Sequence, residues 1–130
     1  MSEPIFFVSH FRIKEGQFDA LRRLTFDSAD SLRSQKPLTV LFLSYVDEDR
    51  SVISFLHAFA DADAMDVHFE GAAERSKAAL EFIEPVGWEF YGSPSAAALE
   101  TMRQSATAAG ATLTVQPEYL AGFLRLAESA

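Results

Sequence analysis

Three histidines and three tyrosines carry most of the chemistry this sequence could do. His68 is the sharpest of them. It sits in AMDVHFEGAAERSKAAL, a stretch with helical spacing, on the side that carries Met65 and Ala72. A neutral imidazole there could take a proton from a weakly acidic group such as a phenol near neutral pH. Its plainer role is to pack against a sheet and bond to a backbone carbonyl or a carboxylate. Tyr45, Tyr91 and Tyr119 could hold a phenolic or quinone oxygen through their hydroxyls, or stand at a sheet edge or interface as amphipathic side chains. Tyr91 is the tyrosine assigned beside His68 as a catalytic candidate. His10 and His57 fall on strands that could be neighbours, and two imidazoles with a carboxylate can hold a metal. No HxH or HxxxH spacing supports such a site, and none is expected. Arg12 shares a strand face with His10 and could bind an acidic ligand or pair with one of nineteen carboxylates.

Twelve phenylalanines supply core, and some could line a cavity suited to a flat aromatic ligand. Phe6, Phe11, Phe42, Phe55, Phe59 and Phe90 are candidates. The pocket expected around His68 is drawn from Phe11, Phe55, His57, Phe59, Met65 and Trp88. Serine-hydrolase chemistry lacks a GxSxG elbow, with Ser9 and His10 merely adjacent, and the six glycines form no phosphate loop. Without cysteine the chain has no disulfide and no thiolate nucleophile.

These residues must be positioned by a single domain of 130 residues, long enough to bury its own core. Ile5 to Lys14 alternates as a strand, with Ile5, Phe7, Ser9, Phe11 and Ile13 on one face. Gln17 to Arg33 reads as a helix ended by Lys36-Pro37. Leu38 to Val46 and Ser51 to Ala60 read as strands joined by the polar turn Asp47 to Arg50. A second helix follows an N-cap at Asp61 or Asp63, bends at Gly71 and is expected to close at Pro85. Val86 to Gly92 is the fourth strand. The order βαββαβ suits an α+β, ferredoxin-like domain with an antiparallel sheet over residues 1–95. Residues 96–130 form a C-terminal extension: a helix from Pro94 to Ala109 stopped by Gly110, a strand from Ala111 to Gln116, and a final apolar run from Tyr119 to Leu126. The extension is expected to pack on the core or on a partner subunit.

Helices cover one face of such a sheet, yet these strands are apolar on both faces. A second copy of the sheet is the simplest cover, so a homodimer is expected. A net charge of −8 disfavours nucleic acid and anionic membrane surfaces. The acidic start and the lack of a long apolar run point away from a secretory signal or a membrane span, which suggests a cytoplasmic protein.

The stretch FLHAFADADAMDVHFEGAAERSKAALEFIEPVGWEFYG resembles the antibiotic-biosynthesis-monooxygenase-like (ABM) domain of the dimeric α+β barrel superfamily. His68, Pro85, Tyr91 and Gly92 match its pattern, and the likeness covers residues 4 to 95. It implies a barrel of two sheets, one per subunit, with a pocket in each subunit between sheet and helices. Some members oxidise anthrones or quinols with dioxygen and no cofactor, and others cleave haem. This chain contains no asparagine, and its one tryptophan, Trp88, falls on a strand. The Asn-His-Trp set of the haem-cleaving members therefore cannot be assembled. The resemblance implies a cofactor-free oxygenase acting on an aromatic polyketide, quinol or similar molecule, or else a non-catalytic dimeric module that binds a small ligand or has a structural role.

Overall fold

The computed structural model describes residues 3–125. Five strands form one sheet: β1 (Ile5–Ile13), β2 (Thr39–Asp47), β3 (Val52–Phe59), β4 (Ile83–Tyr91) and β5 (Thr112–Gln116). Their order across the sheet is β2-β3-β1-β4-β5. The βαββαβ unit is thus present, with β1 central. The expected antiparallel sheet is corrected in one respect: β5 joins it parallel to β4, with Gly87 opposite Thr112 and Tyr91 opposite Gln116. The strand of the extension adds to the same sheet because helix α4 (Ala96–Ala109) crosses back over it, as a parallel connection requires.

Helix α1 (Phe18–Gln35) lies between β1 and β2. The single second helix expected from the sequence is two helices, α2 (Ala62–Phe69) and α3 (Ala72–Ala79). Asp61 caps α2 by accepting a hydrogen bond of 2.8 Å from the Ala64 amide. The break falls at Glu70-Gly71, where Glu70 is extended and Gly71 has φ +80°. Pro85 does not close a helix. The chain has already left α3 at Leu80, and Pro85 lies within β4, opposite Phe11. The β1–β4 register shifts there, between His10 opposite Gly87 and Phe11 opposite Pro85. A bulge of this kind tolerates a residue that cannot donate to the ladder. Ile83 starts β4, three residues before the Val86 expected from the sequence. Residues 119–125 are irregular, neither strand nor helix, and Leu126 lies outside the described residues.

Alternation along the strands divides the sheet into two faces. The helix-covered face carries two core clusters. One is built on Ile5, Phe7, Phe59, Met65, Trp88 and Phe90, closed by Ala98, Met102 and Ala106 of α4. The other is built on Ile13, Leu21, Ile53 and Ile83. Phe11 packs against both. The opposite face carries Phe6, Val8, His10 and Arg12 of β1 beside Leu43 and Tyr45 of β2 and Glu89 and Tyr91 of β4. No helix of the described residues is long and apolar enough to cross a membrane.

Candidate functional site

His68 projects from the last turn of α2 and is only 4% exposed. Its Nδ1 shares a hydrogen bond of 2.7 Å with the Thr39 hydroxyl at the start of β2. Its ring lies 5.0 Å from that of His57 and 5.1 Å from that of Phe59. His57, on β3, donates from Nδ1 to the Phe7 carbonyl at 3.3 Å and lies 5.1 Å from the Phe42 ring. Two cations close this corner. Arg75 Nη2 donates to the His68 carbonyl at 2.6 Å, and Lys36 Nζ donates to the Val67 carbonyl at 2.9 Å. Both suit the carbonyl-rich end of α2.

The same surroundings hold both imidazoles neutral. Burial pulls His68 down to about 3, helped by the nearby His57, Arg75 and Lys36. Burial likewise pulls His57 down to about 4; its bond to the Phe7 carbonyl opposes the shift, and Arg75 adds a little to it. A neutral imidazole is the form that accepts a proton. One whose conjugate acid is this unstable, however, is a weak base at neutral pH.

The expected pocket residues separate into two groups. Phe59 and Met65 are fully buried, and the Phe59 ring lies beside those of His57 and His68. Phe11 and Phe55 form a second group with Trp88. Phe11 meets Phe55 edge-on at 5.7 Å and Trp88 edge-on at 6.2 Å, while Phe42 stacks on Phe55 at 5.7 Å. Phe11, Phe42 and Phe55 are only half-buried although they face the helices. Ser9 lies at the middle of this strip, opposite Phe55 on one side and Trp88 on the other. It is 4% exposed, and no hydrogen bond among the described residues uses its hydroxyl. It was legible as the one small polar residue among the inward positions of IFFVSHFRI. Thr39 and Phe69, which also touch His68, carry no comparable signal.

Tyr91 does not meet His68. It stands on the open face of the sheet, at its far end, and donates to Glu89 Oε2 at 2.8 Å. Glu89 Oε1 in turn bonds His10 Nε2 at 2.6 Å, and His10 Nδ1 bonds the Ser54 hydroxyl at 2.8 Å. Four side chains from β3, β1 and β4 are thus joined in a row. The bond to the Glu89 carboxylate, favouring the protonated phenol, pushes Tyr91 up. The bonds from His10 and Tyr91 pull Glu89 down. His10 and His57 point to opposite faces, and among the described residues no group of three histidines or carboxylates could hold a metal ion. Tyr45 and Tyr119 are exposed.

Neither a family model nor a curated protein sequence matches this chain. Solved structures do. MupZ from Pseudomonas fluorescens superposes with a TM-score of 0.68 at 15% identity, covering 94% of this chain and 91% of its own. A Caulobacter crescentus protein assigned to the antibiotic biosynthesis monooxygenases gives 0.60 at 16% identity, covering 68% and 88%. SnoaB, a cofactor-independent oxygenase from Streptomyces nogalater, gives 0.58 at 12% identity, covering 72% and 96%. The fold is that of an ABM-like domain. The MupZ match leaves too few residues outside it to omit α4 and β5. The other two cover less of this chain.

Proposed function

We propose that this chain is a cofactor-free oxygenase-like protein whose substrate is a flat aromatic small molecule of quinol or aromatic-polyketide type, and that it works as a homodimer joined through the open faces of its sheets. The observation that carries the substrate class is the strip of Phe11, Phe42, Phe55 and Trp88 over Ser9. Three of these rings remain half-covered on the side where helices should hide them. Aromatic walls with one small hydroxyl suit a planar ring bearing an oxygen. The ABM-like fold, which SnoaB shares, supports the reaction type. In that chemistry a substrate CH2 carbon gives up a proton to solvent and electrons to dioxygen, the protonated hydroperoxide formed at that carbon loses water to leave a carbonyl, and the protein has to bind and orient the ring.

His68 in this reading orients Thr39 and the adjoining wall through its bond to the hydroxyl. Its deep burial also favours a second reading, a module that binds the same class of ligand without turning it over. Oxygen consumption with a panel of anthrones and quinols separates the two. The oxygenase reading expects protein-dependent uptake that falls at least tenfold in Phe55→Ala, which opens the strip. It expects a smaller loss in His68→Gln, which keeps a hydrogen-bonding side chain beside Thr39. Binding seen as quenching of Trp88, the single tryptophan, without any uptake would establish the second reading. Neither uptake nor quenching with any member of the panel would remove both.

A further inference from the structure

The nine residues after β5 expose four large apolar side chains. Leu120 is 96% exposed and Phe123 77%, and Tyr119 and Leu124 are also open to solvent. Such a run in a folded chain marks a contact surface. The segment is not aimed at random. Ser93 donates to the Pro117 carbonyl at 2.9 Å, Gly92 N donates to the Gln116 carbonyl at 3.0 Å, and the Tyr119 hydroxyl closes on the Gly122 carbonyl at 2.7 Å. These bonds turn the chain toward the open face of the sheet. There it forms one wall of a hollow of about 290 Å³, with Phe6 and Tyr91 among the residues of the other wall. At the opposite edge of the sheet, β2 presents Tyr45, 60% exposed, and Leu43 beside it on the same face.

We infer that residues 117–125 are an arm that packs on a second copy of this chain, with the hollow beside Phe6 and Tyr91 receiving the partner's Tyr45 edge. The inference rests on the homodimer proposed above and adds which segment completes it. Two observations select a second copy as the occupant. First, the uncovered apolar groups lie at opposite edges of one sheet, β5 and β2. Tyr45 stands level with Ser54 and His10, further along the strands than Phe6 and Tyr91, so a two-fold axis that crosses the sheet obliquely to β1 sets the arm edge of each copy over the Tyr45 edge of the other, and both groups are covered twice by one symmetric contact. Second, a chain of net charge −8 should repel its own copy, yet both carboxylates that β4 presents on this face are matched by a base. Arg12 holds Glu84, and His10 holds Glu89. The face therefore meets its copy without facing unpaired β4 carboxylates.

The test uses the full chain. Sedimentation equilibrium should show a dimer, and Leu120→Asp and Phe123→Asp should each weaken it tenfold or more, about the effect of burying a charge in an apolar contact. Both positions are exposed in the subunit, so the monomer's circular dichroism should not change. Because the chain has no cysteine, a mixture of Phe123→Cys and Tyr45→Cys proteins should give a disulfide-linked heterodimer under mild oxidation. A monomer at every concentration would overturn the homodimer and the arm together. A dimer of unchanged strength in both Asp variants would overturn the arm and leave the homodimer standing. Disulfide dimers of Phe123→Cys alone would put arm against arm and overturn the placement on β2.

Discussion

His57 and His68 are kept neutral by burial and by the cations around them, and this ties the stability of the fold to pH. Facing the pair are Arg75 from α3 and Lys36 from the end of α1, and among the described residues no carboxylate forms an ion pair with either ring. In the folded chain His57 is pulled down to about 4 and His68 to about 3, against 6.5 for each when exposed. Between these values the unfolded chain binds protons that the folded chain does not. Stability is therefore complete above about pH 6.5 and drains as pH falls toward 4 and then 3. The loss for the pair is on the order of several kcal/mol, since a tenfold change in proton affinity on folding corresponds to about 1.4 kcal/mol. Urea unfolding at pH 7 and at pH 4.5 should show this loss. His57→Phe, which keeps a ring beside Phe7 and Phe42 but cannot take a proton, should flatten the difference by roughly half. An unchanged pH slope in that variant would mean that His57 does not titrate with unfolding.

At the level of elements, two glycines hold chain reversals that other residues would strain. Gly71 separates α2 from α3 at φ +80°, and a Cβ there would meet only the flexible end of Arg75 at 3.3 Å. Gly92 ends β4 at φ +113°, and its Cβ would press on the Pro4 carbonyl at 2.9 Å and on Ile5. Gly71→Ala should therefore cost about 1–2 kcal/mol, and Gly92→Ala about 2–4 kcal/mol because backbone crowding adds to the strain. Equal losses in urea denaturation would contradict that ranking. The Gly71 break was legible in the sequence as a weak point inside a helical pattern. The end of α3 was not, because Pro85 offered a stronger stop signal than the exit at Leu80, and only the bulge opposite Phe11 explains how β4 accepts a proline. The inward set of β1 followed directly from alternation. Alternation also bears on Tyr91: Trp88 and Phe90 point inward, so Tyr91 had to point outward and could not join His68. The split of the expected pocket was not legible, since Phe55 and Phe59 share a strand face and only the helices above them decide which is sealed.

For the whole molecule, the proposed homodimer requires an acidic chain to present a sheet face to its own copy. That face carries apolar Phe6, Val8 and Leu43 beside two β4 carboxylates that side chains of β1 already bind, Glu84 by Arg12 and Glu89 by His10. The Arg12–Glu84 pair is exposed in the isolated chain, so it adds little to the subunit's own stability. Its effect should appear only on association. Arg12→Ala should leave the unfolding midpoint of dilute protein nearly unchanged while leaving a bare Glu84 carboxylate on a face that meets a copy of the same acidic chain. The dimer should weaken severalfold at low ionic strength, and most of the loss should return at about 0.5 M salt, where the screening length falls to a few ångströms. The double variant Arg12→Ala/Glu84→Gln removes the repelling charge as well, and should recover the original association without salt. Sedimentation equilibrium at two salt concentrations reads all three proteins. Recovery in the double variant would place the origin of the weakening in unmatched charge at the interface. A loss in Arg12→Ala that neither salt nor Glu84→Gln relieves would instead mean that the arginine stem is itself a packing contact between the sheets.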